Sequence, residues 1–145
     1  MKKILAIAFA CFFLPGAALA AGEVLIHRDP GCGCCEKWAQ LVRKGLGRKV
    51  VIRDDSSRAS FQKRNGVPAH LSSCHTAIVD GLLLEGHVPV ADIQRVLATR
   101  PAGVKGLAVA GMPVGSEGME VPGGARQRYA VVAFGPAGER VFARY

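Results

Sequence analysis

An α/β fold, a mixed sheet flanked by helices, is what this sequence predicts, and three observations predict it. Short apolar runs rich in Val, Ile and Leu alternate with segments whose apolar residues recur at helical spacing. An Asp80-Gly81 step splits two of the strand-like runs, a strong hairpin signal. Three cysteines, Cys32, Cys34 and Cys35, crowd the turn where the first strand-like run gives way to the first helical pattern.

In chain order, residues 1–20 read as a cleaved signal peptide. Met1-Lys2-Lys3 is a charged start, Ile4 to Leu14 an apolar run, and Ala18-Leu19-Ala20 a small-x-small cleavage site. The apolar run, which includes Cys11, falls well short of the roughly 20 residues that span a bilayer. Export to the periplasm with no stable membrane insertion is therefore expected. Residues 21–100 are expected to form the main domain. Glu23 to Arg28 is a short buried strand, and Pro30-Gly31 punctuates the chain. From Cys35, the apolar residues Trp38, Leu41, Val42 and Leu46 mark a helix that Gly45 and Gly47 stop. Val50 to Ile52 is a second strand, and Ser57 is placed to cap a short helix ending at Asn65-Gly66. Thr76 to Val79 and Leu82 to Glu85 form the hairpin, and Val90 to Thr99 is an amphipathic helix. A Cys-x-x-Cys dithiol at the first strand-to-helix turn of such a unit marks a thioredoxin-like domain. Residues 101–145 differ: glycine and proline dominate Gly103 to Gly124, and a closing hairpin surrounds Gly135-Pro136-Ala137-Gly138. This C-terminal extension is expected to pack on the same domain.

Half of the 145 residues are hydrophobic, enough for one real core. The formal net charge of +8 falls to +6 once Lys2 and Lys3 are removed. Export, and the scatter of Arg43, Lys44, Arg48, Lys49, Arg53, Arg58, Lys63 and Arg64 without interleaved aromatics, argue against a nucleic-acid partner. These residues read as a solvated basic surface.

The cysteines carry the chemistry. Cys32 and Cys35 have the spacing of a redox pair and are the candidate catalytic residues, with a helix N-terminus to favour thiolate. Cys34 is a surplus thiol. Bonding it to its neighbour Cys35 makes a strained ring, so a resting bridge uses Cys32–Cys35 or joins one of the three to Cys74. Together Cys32, Cys34, Cys35 and Cys74 also offer a sulfur-rich pocket suited to Cu(I) or zinc. Met112 and Met119, in glycine-rich sequence with little apolar company, tilt the choice to copper, because thioether is a soft ligand that zinc seldom uses. His75, beside Cys74, and His87, after the hairpin, are further candidate ligands; His27 and His70 rank below them.

These motifs resemble those of the CopG family. The resemblance is carried by Gly31-Cys32-Gly33-Cys34-Cys35 with Trp38, Val67-Pro68, Ser73-Cys74-His75-Thr76-Ala77, Glu85-Gly86-His87-Val88-Pro89, and Gly111-Met112-Pro113-Val114-Gly115-Ser116 with Gly118-Met119-Glu120. It spans nearly the whole chain after the signal segment. It implies an exported metal-binding protein, of a kind often encoded beside copper-resistance genes, with a thioredoxin-like domain and an extension that helps to bind copper. It further implies that Cys32, Cys34, Cys35 and Cys74 bind Cu(I), including as a sulfur-bridged multinuclear cluster, and that Cu(I)/Cu(II) redox handling supports copper tolerance. Copper ions and periplasmic copper efflux or chaperone proteins are the partners it implies. Two rival functions use the same cysteines: thiol–disulfide exchange on protein substrates, with Val67-Pro68 as a substrate-facing turn, and non-catalytic copper delivery or buffering.

Overall fold

The computed structural model describes residues 22–145, so the signal-peptide reading of residues 1–20 lies outside the described residues. Seven strands form one sheet: β1 (Val24–Arg28), β2 (Val50–Asp54), β3 (His75–Val79), β4 (Leu82–Glu85), β5 (Gly106–Ala108), β6 (Ala130–Phe134) and β7 (Arg140–Arg144). Their order across the sheet is β2-β1-β3-β4-β5-β6-β7. Strands β1 and β2 are parallel, as are β4 and β5, and the other neighbours are antiparallel. Helices α1 (Gly33–Leu46), α2 (Arg58–Arg64) and α3 (Val90–Thr99) complete the mixed α/β architecture. In the β2-β1-β3-β4 half, α1 joins β1 to β2, α2 lies between β2 and β3, and α3 follows β4.

Alternation along each strand divides the core in two. Trp38, Ala39 and Val42 of α1 and Ile93 and Val96 of α3 pack on one face, over Val24, Ile26, Val79 and Leu84. A smaller cluster of Val67, Leu71, Leu83, Ala108 and Phe134 occupies the other face. The Asp80-Gly81 turn has positive φ at both residues, 46° and 78°, which suits the tight connection between β3 and β4.

Local chemistry explains where the structure departs from the sequence expectations. Helix α1 starts at Gly33, before Cys35, because the Cys32 sulfur accepts from the Cys35 amide and caps the first turn. Leu41 is exposed and Ala39 takes the buried position instead, so the apolar stripe is rotated from the expected one. Ser57 makes no side-chain cap; its own amide donates to Asp55 Oδ1. Strand β5 was not expected: three residues in glycine-rich sequence carry little periodicity, and the flanking β4 and β6 supply their hydrogen-bond partners. Arg58 is buried rather than part of a solvated surface. Pro68 lies at the start of a single 3-10 turn, Ala69–Leu71, and lines a cavity with Ala59, Gln62 and Lys63.

Candidate metal centre

Three elements bring the cysteines together. The turn after β1 and the start of α1 carry Cys32, Cys34 and Cys35, while Cys74 immediately precedes β3, the neighbour of β1. All four sulfurs lie within 4.8 Å of one another. Cys32 and Cys35 are joined by a disulfide, and Cys34 and Cys74 are free thiols. The Cys34 sulfur stands 3.4 Å from that of Cys32, and the Cys74 sulfur 3.4 Å from that of Cys35. The four sulfurs thus run as a chain from half-exposed Cys34, through the disulfide, to buried Cys74.

Two imidazoles extend the site inward. His87 Nε2 is 3.3 Å from the Cys74 sulfur, and His75 Nδ1 is 3.5 Å from it. Cys74, His75 and His87 form a second group of donor atoms within 4.8 Å of one another. The His87 Nδ1–H donates to the Glu117 carbonyl at 2.8 Å, which leaves Nε2 as the lone pair facing sulfur. His75 is fully buried between the rings of Trp38 and His87, at centroid distances of 4.4 and 5.1 Å, and its Nε2 has no hydrogen-bond partner.

Burial sets the protonation states. It pushes the Cys74 thiol up to about 12, with the Cys34 sulfur adding to the rise. It holds His75 well below the ordinary histidine range, helped by His87 and Arg58, and it lowers His87 against the opposing Glu117 bond. Neutral imidazoles are the form that binds metals. A soft metal binding at the Cys74 sulfur would displace the thiol proton to solvent, which is how a thiol this reluctant to ionise would become a ligand. Once the Cys32–Cys35 bridge is reduced, four sulfurs and two neutral imidazoles, one with a buried nitrogen lacking a partner, would fit a thiophilic metal such as copper.

The glycine-rich extension closes over the site. A β-carbon on Gly118 would stand 2.9 Å from the Trp38 amide nitrogen and 3.0 Å from the Cys34 carbonyl oxygen, so the loop lies directly on the first turns of α1. Glu117, which sequence reasoning did not single out, bonds His87 through its backbone and the Val90 amide through its carboxylate at 2.9 Å. The signal available was its position beside Gly118-Met119. Met119 follows that close approach and is half-buried, whereas Met112 is 52% exposed and lines a separate cavity with Pro113, Gln127 and Arg128. The two methionines therefore occupy different settings. His27 pairs with Asp55 at 2.9 Å and stacks on Phe61, and exposed His70 pairs with Glu139 at 2.8 Å, so each is engaged elsewhere.

Comparison with known proteins follows the same lines. Residues 71–119 match the model of a family described as a protein of unknown function, DUF411. The chain is similar to two solved structures of copper resistance protein CopG. Form 1 is 39% identical with a TM-score of 0.79, over 87% of this chain and 98% of that one. Form 2 is 40% identical with a TM-score of 0.78, over 85% and 97% respectively. No curated protein matches the sequence.

Proposed function

Because the chain belongs to the CopG family, we propose that it binds Cu(I) through the thiolates of Cys32, Cys34, Cys35 and Cys74 and handles copper by redox chemistry in the periplasm. One observation carries this reading: four sulfurs gathered within 4.8 Å, one more thiol on the turn than a dithiol exchanger needs. His87, its Nε2 already turned to Cys74, and buried His75 are the nitrogen donors best placed to join them. Met119 is the thioether whose segment covers the turn.

The disulfide sets the order of events. With Cys32 and Cys35 bonded, two of the four sulfurs are unavailable as thiolates. An external dithiol attacks one sulfur of the bridge, the partner sulfur leaves as thiolate, and the reductant's second thiol completes its own disulfide. Cys32 and Cys35 are then both thiols, and the reductant has given up two electrons and two protons. Bound copper supplies a one-electron couple and a soft Lewis acid; the chain supplies the thiolates and the neutral imidazoles.

Anaerobic Cu(I) titration of the reduced protein, with metal analysis, tests the proposal. More than one copper per chain is expected, with fewer in Cys34→Ser and Cys74→Ser. An unchanged stoichiometry in Cys34→Ser would remove the shared thiolate site. The disulfide at the N-terminus of α1 also favours a second reading, thiol–disulfide exchange on protein substrates. Reduction of a model disulfide that survives full copper loading would support that reading, because metal occupies the same thiols.

A further inference from the structure

On the face of the sheet opposite α1, a buried charged network reaches both halves of the cysteine site. Arg58, 9% exposed, comes from α2, and Glu85, fully buried, from the end of β4. We infer that Arg58 is a positioning residue for the metal centre: braced between Asp29 and Glu85, it holds the cysteine turn in register with Cys74. The inference deepens the copper-binding reading and rests on it.

Through Asp29 the network reaches Cys32 and Cys74 directly; through Glu85 it reaches Ser73, the residue before Cys74, across a 3.8 Å ion pair rather than a hydrogen bond. Arg58 Nε and one Nη donate to the two Asp29 carboxylate oxygens at 2.7 and 3.1 Å. The Asp29 backbone carbonyl accepts from the Cys32 amide at 3.2 Å, and its amide donates to the Cys74 carbonyl at 3.0 Å. Asp29 is therefore the junction at which the two cysteine segments meet. The other Nη of Arg58 is 3.8 Å from Glu85 Oε1. That same oxygen accepts from the Ser73 amide at 2.7 Å, next to Cys74, while Glu85 Oε2 accepts from Thr76 Oγ1 at 2.6 Å. A single guanidinium thus spans from one side of the site to the other.

Stability alone does not account for this arrangement. Burying Arg and Glu costs desolvation, and an apolar pair of similar volume is often as stable or more so. A forked, planar guanidinium adds fixed geometry. Here it sets the spacing of Cys35 and Cys74, 39 residues apart in the chain and 3.4 Å apart at sulfur. Ligand constellations work when held to within about 0.5 Å.

Two variants test the inference: Asp29→Asn, whose side chain is half exposed, and Arg58→Lys, which keeps the charge but not the fork. The first readout is Cu(I) affinity of the reduced protein, by competition with a chromophoric Cu(I) chelator. The second needs no metal: in a Cys32→Ser background, brief oxidation by diamide and peptide mapping give the yield of the Cys35–Cys74 cross-link. Both variants are expected to weaken Cu(I) binding by about 10- to 100-fold, the usual effect of losing a group that orients a ligand. Both should lose most of the cross-link, and Arg58→Lys should keep more of each readout than Arg58→Met. Val96→Ala, which opens a cavity under α3, should lower the melting temperature and leave both readouts unchanged. Wild-type values in Asp29→Asn and Arg58→Lys, or equal losses in Val96→Ala, would overturn the inference. If the unaltered chain fails to bind Cu(I) while the variants still lose the cross-link, the copper reading fails and the positioning role stands.

Discussion

Replacing Gly118 by alanine tests the contact by which the extension covers the cysteine turn. Gly118 has φ of +83°, and its missing β-carbon would fall 2.9 Å from Trp38 N, 3.0 Å from Cys34 O and 3.1 Å from Trp38 Cβ. Two costs add. Holding an alanine at positive φ costs about 1–2 kcal/mol. Relieving overlap against helical backbone, which cannot swing aside as a long side chain would, costs about 1–3 kcal/mol. Gly31→Ala separates them: its φ is +73°, and nothing lies within 4 Å of the added carbon. Gly31→Ala therefore carries the backbone cost alone, and Gly118→Ala should exceed it by about 1–3 kcal/mol. The chain holds a single tryptophan, and Trp38 is fully buried at this contact, so urea unfolding followed by its fluorescence reports on the right place. Equal losses in the two variants would refute the argument, because they would mean that the extension does not press on α1.

Other consequences are as direct. Trp38→Phe removes the donor that reaches the buried Val88 carbonyl at 2.9 Å. The unpaired carbonyl alone should cost about 1–3 kcal/mol, measured by circular dichroism during chemical unfolding. In the unreduced protein, iodoacetamide should modify half-exposed Cys34 and leave Cys74, which is 7% exposed and pushed up to about 12; peptide mass mapping would detect the reverse order. Acid should destabilise the metal-free protein through its histidines. His75 and His87 have folded values below the ordinary 6.5, so in the window beneath 6.5 the unfolded chain binds more protons and folding loses stability as pH falls. Glu85 acts oppositely: its folded value is raised by burial, so its contribution fades as pH rises above the ordinary 4.5. The urea midpoint should drop between pH 6.5 and 5.5, and less steeply in His87→Gln.

What was legible in the sequence depended on how local the cause was. Helix α3 and the β3–β4 hairpin follow from a repeat and a turn dipeptide that lie within their own residues. The start of α1 did not, because its cap is a cysteine sulfur, and the usual signal is an oxygen-bearing side chain. Strand β5 owes its existence to two flanking strands rather than to Gly106-Leu107-Ala108 itself. At the site, cysteine density announced Cys32, Cys34 and Cys35, Cys74 joined them as the one further cysteine of the mature segment, and the family resemblance agreed with that set. The roles of Arg58 and Glu85 were invisible. An arginine among scattered basic residues looks like surface until α2 is laid over β3 and β4, and its burial is a tertiary fact.

The position of Cys34 distinguishes this turn from an ordinary dithiol. In a two-cysteine exchanger the buried member resolves the mixed disulfide, and no third sulfur is needed. Here the bridge already joins the Cys-x-x-Cys pair, yet a free thiol stands 3.4 Å from each end of it: Cys34 beside Cys32, Cys74 beside Cys35. Such an arrangement suits a stable oxidised state poorly, because an internal cysteine at each end competes with any substrate for the bridge. It suits the proposed reduced state, in which the four cysteines would act together toward a metal, with the His87 ring oriented by its bond to Glu117. The extension then has a physical purpose. By laying Gly118 on the Cys34 carbonyl and bonding Glu117 to His87, it fixes itself against the turn that carries the cysteines.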